Sequence, residues 1–436
     1  MRRLWGMRAG GAPSISREDA NGGNCPRSWA GSQCSNVIEP IAITGIGMTT
    51  CLGLGVEANW RRIREGVTGL GPITRFELGD YPVRLGGEAP PLPPDLAAEL
   101  GPAAPEVLQL AATCREACRS AGLGSFPRGE RAGLVLGSSL AGSSTGEAFF
   151  GEYLARGPKD ASFAALEGYY VETQIDRLAR LLDVRGPTSL VSNACAAGAS
   201  AIVRGAQLLR ARRADVVIAA GYDPLSIFTF AGFGSLMALA QGSTRPFART
   251  RDGMLLGDGY AALVLERVEP AMESGQSPLA ILAGHGESAD SHHLTHPHPQ
   301  GGGAALAMRR ALESAGLSPD GIDYINCHGT ATRANDLSEV RAMRDVFGGR
   351  LSRIPVSSSK PYFGHTLGGA GAVEAVVTLL AIREGFIPPT LHLDELDPEL
   401  GELDPTPVGR EAPLRAAMSN SFGFGGSNTS LILARA

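Results

Sequence analysis

Apolar residues recur along this chain in two alternating rhythms. Short apolar runs bounded by glycine predict strands, and longer segments with apolar residues three or four apart predict helices. The first run is "IEPIAITGIGM" (38–48), followed by "VEANWRRIREG" (56–66), where Val56, Trp60 and Ile63 share a helix face. A proline-rich stretch, "EAPPLPPDLAAELGPAAPEV" (88–107), reads as a loop. Next come the strand "AGLVLGSS" (132–139), a helix "RLARLLDVRGP" ended by Gly186-Pro187, and the strand "TSLVS" (188–192). After a turn at Cys195 the pattern gives the helix "AGASAIVRGAQLLRARR" and the strands "ADVVIAAG" and "YAALVLERV".

The order then repeats. "LAILAGHG" is a strand, "GGAALAMRRALESAGL" a helix, "IDYINCHGT" a strand delivering His328, and "NDLSEVRAMRDVF" a helix. "IPVSSSKPYFGHTLGGAG" is a strand and turn delivering Lys360 and His365, and "AVEAVVTLLAIREG" an apolar helix. "AAMSNSFGFGGSNTSLILARA" closes the chain as strand, glycine turn and strand. This alternation predicts an α/β protein with buried sheets. "SNACAAGASAIVRGAQLL" and "FGHTLGGAGAVEAVVTLL" can be overlaid, an internal repeat that suggests duplicated halves meeting at a shared site.

Composition narrows the class. At 436 residues the chain is long for one core. A hydrophobic fraction of 43% and a charged fraction of 19% are those of a globular protein, and a formal charge of -5 gives no sign of nucleic-acid binding. No apolar run is long enough to span a bilayer. The seven cysteines, Cys25, Cys34, Cys51, Cys114, Cys118, Cys195 and Cys327, are odd in number and scattered. They read as free thiols in a reducing, cytoplasmic setting. Residues 1–37 lack apolar periodicity and a secretory h-region, and are expected to be a disordered tail. Of 39 basic residues only Lys159 and Lys360 are lysine, so a remaining lysine marks a position where arginine would not serve.

Three residues carry candidate chemistry. Cys195 ends a strand and opens a helix, where helix N–H groups would stabilise a thiolate and the Cys195 N–H could help to hold an oxyanion. The competing reading of that segment alone is an inert buried cysteine. His328 in "CHGTAT" and His365 in "FGHTLGG" stand at corresponding strand ends and join Cys195 in a Cys-His-His arrangement. Lys360 lies five residues before His365, and Glu339 is placed to pair with it. The turn "NSFGFGGSN" (420–428) has no Gly-Lys-Ser/Thr element for phosphate, and is expected instead to supply a backbone N–H and a movable ring, Phe424. "TGIGMTTCLG" lacks the third glycine and the acidic residue of a dinucleotide fingerprint. The histidines of "HHLTHPHP" (292–299) have metal-like spacing, but the prolines and the lack of flanking ligands favour a plain loop, so no metal and no cofactor are expected.

The cysteine turn, "CHGTATRAND", "SSSKPYFGHTLGGAGAVEA" and "SNSFGFGGSN" together resemble β-ketoacyl-acyl-carrier-protein synthases of the elongating type, over residues 38–436. The resemblance implies a thiolase-like fold, with duplicated α/β halves in five α-β-α-β-α layers. An N-terminal half over 38–275 would bear the nucleophile, and a C-terminal half over 276–436 both histidines. It implies acyl transfer to Cys195 from a carrier-protein phosphopantetheine arm, then decarboxylation of malonyl-carrier protein beside His328 and His365. Cys195 and Phe424 would form the oxyanion hole, with Phe424 also the gate. Thr330, Thr332, His293 and Thr295 would lie along the pantetheine path. Lys360 and Glu339 would form an ordering pair, with Asp336 and Glu374 in support. A homodimer is implied, or a heterodimer with a chain-length partner. The alternative from another class is that the chain is itself such a non-catalytic partner; those lack the nucleophile, and Cys195 argues against it. Thiolases carry a second cysteine in the C-terminal glycine motif, and initiating synthases an Asn at the second histidine; neither holds here. The proline-rich loop and "LEGYYVETQIDRLARLL" depart from the family pattern and point towards a specialised polyketide or polyene system.

Overall fold

Two five-stranded arrays of the same strand order, joined in one continuous sheet and extended at one end by the short strand Asp404–Pro405, organise the chain. The computed structural model describes residues 37–123, 129–273, 275 and 277–436. Most of the predicted N-terminal tail, Cys25 and Cys34 lie outside these residues. The first sheet contains β1 (Ile41–Thr50), β2 (Ala132–Gly137), β3 (Thr188–Val191), β4 (Val216–Asp223) and β5 (Gly259–Arg267), in the order β3-β2-β4-β5-β1. The second contains β6 (Ala280–Ala289), β7 (Tyr324–Asn326), β8 (Pro355–Ser357), β9 (Ala416–Phe422) and β10 (Ser427–Ala434), in the order β8-β7-β9-β10-β6. In each sheet the three strands at one end pair in parallel and the remaining pairs are antiparallel. A short antiparallel ladder, Ile41–Ile43 against Ala280–Leu282, joins β1 to β6. Strand β3 is left as a free edge.

Helices fill the remaining layers. After α1 (Val56–Arg64), α2 (Pro105–Ser120) and α3 (Val171–Leu182) cover the outer face of the first sheet, and α5 (Gly302–Ala315) and α6 (Arg333–Phe347) that of the second. Between the sheets lie α4 (Ala197–Arg210) and α7 (Ala370–Glu384), which touch each other and both sheets. Helix α7 is buried from Ala370 to Ile382, so the lack of a polar face in its sequence reflects a central position. No described helix is long and apolar enough to cross a membrane.

Three sequence expectations need correction. The stretch read as a proline-rich loop contains the helix Pro94–Leu100 and the start of α2 at Pro105. Both prolines occupy a first helical turn, where no N–H is required. Helix α3 stops at Asp183, which adopts the left-handed region (φ 54°), before Gly186-Pro187 is reached. The internal repeat is real in structure but displaced by two residues. Ala197 and Ala370 both open their helices, whereas the direct overlay sets Ala199 opposite Ala370. In the structural register the left-handed Ala194 (φ 54°) matches Leu367 (φ 50°), each leading into one turn of 3-10 helix.

The first turns of α4 and α7 meet at glycines. A Cβ on Gly371 would lie 2.4 Å from the backbone nitrogen of Ala199. Gly371→Ala should therefore lose about 1–3 kcal/mol to overpacking, more than the ~1 kcal/mol that alanine gains over glycine in a helix. Gly151→Ala, in an exposed helix with nothing within 4 Å of the new methyl, should instead gain about 0.5–1 kcal/mol. Chemical denaturation of both variants checks the pair; equal signs would refute the packing argument.

Candidate active site

Cys195 sits in the 3-10 turn Ala194–Ala196 between β3 and α4, and its side chain is 5% exposed. The left-handed Ala194 before it is a strained conformation for a residue with a Cβ, of the kind that accumulates at functional sites. The backbone N–H of Phe424 donates to the thiol. The expected low-pKa thiol is not found. The cysteine lies in a 3-10 turn that runs into α4, and burial pushes its pKa up to about 12, opposed by Lys360 and reinforced by Asp223.

His328 follows β7, and its backbone N–H donates to Glu339 Oε1 at 2.8 Å. The Gly329 N–H donates to Glu339 Oε2 at 2.8 Å, so one carboxylate pins the turn. His365 is fixed through its backbone, donating to the Leu255 carbonyl at 2.7 Å and accepting from Gly257 at 3.2 Å. The two imidazoles meet edge to face, with centroids 5.3 Å apart. Both have pKa values well below the ordinary histidine range: burial is the main cause, and the Lys360 charge adds to it. Both rings are therefore neutral donors at physiological pH.

Lys360 is fully buried. Its Nζ donates to the His328 carbonyl and to Glu374 Oε1, both at 2.5 Å, and stands 3.4 Å from His328 Nδ1. A cation facing Nδ1 keeps the His328 proton on Nε2. The expected ion pair with Glu339 is thus corrected: the partner of Lys360 is Glu374, one turn into α7. Burial raises Glu374 to about 6 and Glu339 to about 7. Asp336 accepts from the Phe247 and Ala331 amides at 2.9 and 3.1 Å, fixing the turn that presents Thr330 and Thr332. Those two hydroxyls lie 2.9 Å apart.

Cys195, His328, His365, Thr330, Thr332, Thr295 and Phe424 line one cavity of about 360 Å³. The Phe424 ring stacks on Phe233 at 5.4 Å. His293 is the exception: its ring packs against His296, and it is His296 that reaches the cavity wall. Among the described residues no three His, Cys, Asp or Glu side chains converge as metal ligands. Sequence reading missed Asp223, a buried carboxylate at the end of β4. It accepts from the Ser138 hydroxyl and from the amides of Ser139, Leu140 and Gly368, tying the first half to the turn before α7. Its one signal was an acidic residue closing the apolar run "VVIAAGYD".

Comparison with known proteins matches residues 38–271 to the N-terminal domain of β-ketoacyl synthases and residues 279–394 to their C-terminal domain. The 3-oxoacyl-(acyl-carrier-protein) synthase 2 of Coxiella burnetii is 34% identical over 410 residues, covering 91% of this chain and 98% of that protein. Nodulation protein E of Rhizobium sp. (strain N33) is 36% identical over 396 residues, covering 90% and 98%. Among solved structures, the ishigamide ketosynthase/chain length factor superposes with a TM-score of 0.86 at 32% identity, covering 91% of this chain and 99% of that one.

Two outcomes follow from the buried charges. Lys360→Met leaves Glu374 unpaired in the core and should cost about 3–5 kcal/mol by denaturant titration, part of which Lys360→Met/Glu374→Gln restores. Alkylation of Cys195 by iodoacetamide should quicken continuously from about pH 7 to about pH 10, because the thiolate fraction keeps growing below a raised pKa. A plateau within that range would mean that the thiolate is already stabilised.

Proposed function

Because the chain belongs to the β-ketoacyl synthase family, we propose that it joins an acyl chain held on Cys195 to malonyl-acyl-carrier protein. The products are CO2 and β-ketoacyl-acyl-carrier protein. The observation that carries this reading is the convergence of one thiol, two neutral imidazoles and a backbone N–H on a single cavity.

In the first half-reaction the Cys195 sulfur attacks the thioester of an acyl-carrier protein. The thiol proton leaves with the pantetheine sulfur, so a neutral resting cysteine suits the exchange. The N–H groups of Cys195 and Phe424 face the oxygen that becomes negative. In the second, malonyl thioester binds with its carbonyl toward His328 and His365. Loss of CO2 leaves an enolate, and two neutral N–H donors stabilise it without giving up a proton that would quench the carbanion. The Cα carbanion attacks the acyl carbonyl, the C–S bond breaks, and the released Cys195 thiolate takes a proton from water. Lys360 holds His328 in the donating tautomer. Thr330, Thr332 and Thr295 flank the pantetheine path, and Phe424 moves aside as the acyl chain enters.

The free edge β3 directly precedes the Cys195 turn, and a second subunit would cover it, as a homodimer or with a chain-length partner. The two sheets correspond to a nucleophile-bearing half and a histidine-bearing half. The setting is the cytoplasm. The reading as a non-catalytic chain-length partner draws on the likeness to the ishigamide ketosynthase/chain length factor, and Cys195 stands against it.

Intact-protein mass after incubation with a panel of acyl-carrier proteins tests the assignment. The wild type should gain an acyl group and Cys195→Ala none. His328→Ala and His365→Ala should still acylate but condense about 10²–10³-fold more slowly, the usual loss for one such donor. No adduct on well-folded wild type with any donor would favour the partner-subunit reading instead.

A further inference from the structure

The most exposed large apolar side chains among the described residues are Met237 and Leu294, at 88% and 80%. Both belong to the mouth of the cavity. Met237 lines it together with Leu236, which is 48% exposed, and Leu294 immediately precedes Thr295, another lining residue. Exposed apolar residues are ordinary when scattered. Three gathered at one opening mark a surface that another molecule covers.

The backbone at Met237 shows that packing did not put the side chain there. The helix Ile227–Ser235 ends in a Schellman reversal, where the Met237 N–H donates to the Gly234 carbonyl at 3.0 Å and the Ala238 N–H to the Phe233 carbonyl at 3.1 Å. Met237 stands in the left-handed region (φ 52°), the position of that motif which favours glycine. The chain therefore carries backbone strain in order to hold a long, adaptable thioether side chain in solvent. Charge offers no competing handle. The acidic and arginine side chains of the cavity lining are Asp252, Asp290 and Arg333, two carboxylates against one guanidinium.

We propose that Leu236, Met237 and Leu294 form an apolar docking rim for a carrier protein, whose surface beside its phosphopantetheine arm supplies matching apolar side chains. The occupant follows from position: the arm must pass this rim to reach Cys195, so the protein that bears it rests there. That identity rests on the ketosynthase reading. Ion pairs are secondary in such a contact, and docking withstands salt. A carrier with charged groups at the corresponding place would have to bury them against apolar side chains without partners. The rim thereby selects among carriers.

Met237→Gly separates docking from folding. Glycine relieves the left-handed strain, so the variant should unfold at a higher urea concentration than the wild type. It should nevertheless bind the carrier proteins of the panel about tenfold more weakly, as should Leu294→Ser. Val408→Ser, at a 74% exposed position outside the cavity lining, should bind as the wild type does. Raising NaCl from about 0.05 M to about 0.5 M should change the wild-type Kd by less than about threefold, where docking through ion pairs would weaken about tenfold. Absence of carrier binding, unchanged binding in both rim variants, a salt effect of that larger size, or a Met237→Gly protein less stable than the wild type would overturn the proposal. So would rim-dependent sedimentation of the wild type with phosphatidylcholine vesicles, which would make the occupant a lipid surface. Acylation of Cys195 by a small acyl-pantetheine is followed in parallel: no acylation, with carrier binding still dependent on the rim, would sink the condensing reading and leave the docking site standing.

Discussion

Helices α4 and α7 approach until only backbone separates their first turns, with Gly198 and Gly371 at the contact. The spacing of the site depends on that approach. Cys195 stands just before α4 and His365 just before α7, and the Asp223 carboxylate reaches from the loop after β2 to the Gly368 amide. A side chain at either glycine would separate Cys195 from His365 and stretch the Asp223 bridge. Close-packed interiors transmit such a displacement rather than absorb it.

Around this contact the protein buries an unusual amount of polar chemistry. Lys360, Glu374, Glu339, Asp336 and Asp223 are all at most 1% exposed. Each carboxylate is met by a cation or by N–H donors, as burial of charge requires. These groups do two kinds of service. Glu339, Asp336 and Asp223 hold backbone turns in place, and Lys360 adds its charge to burial in keeping both imidazoles neutral. The result is a pair of histidines that stay neutral and donate, beside a thiol that stays protonated until a thioester reaches it.

Most of the fold was legible from apolar periodicity, because buried strands and the central helix α7 have no polar face to blur the pattern. The candidate trio was legible for a related reason: Cys195 and His328 each directly follow a short apolar run read as a strand, and His365 the turn after another. What failed was information that sequence spacing does not hold. The charge partner of Lys360 was assigned to Glu339, but a buried ammonium pairs by three-dimensional reach, and α7 brings Glu374 nearer. The thiol was expected to be stabilised as a thiolate because the start of a helix was read at Cys195; burial, which spacing does not reveal, pushes its pKa the other way. Asp223 went unnoticed because a carboxylate at a strand end looks like the beginning of a surface loop. Prolines at 94 and 105 were read as breakers, although at a first helical turn they are compatible with helix.

The scarcity of lysine has a practical side. The chain has two, Lys159 and Lys360. Lys159 is exposed, and Lys360 has no surface through which a reagent in solution could approach. Amine-directed chemistry on the folded protein would therefore be confined, among its lysines, to Lys159. A fluorophore, a biotin or a solid support could be attached there in a defined orientation, leaving the ammonium that tunes the site untouched.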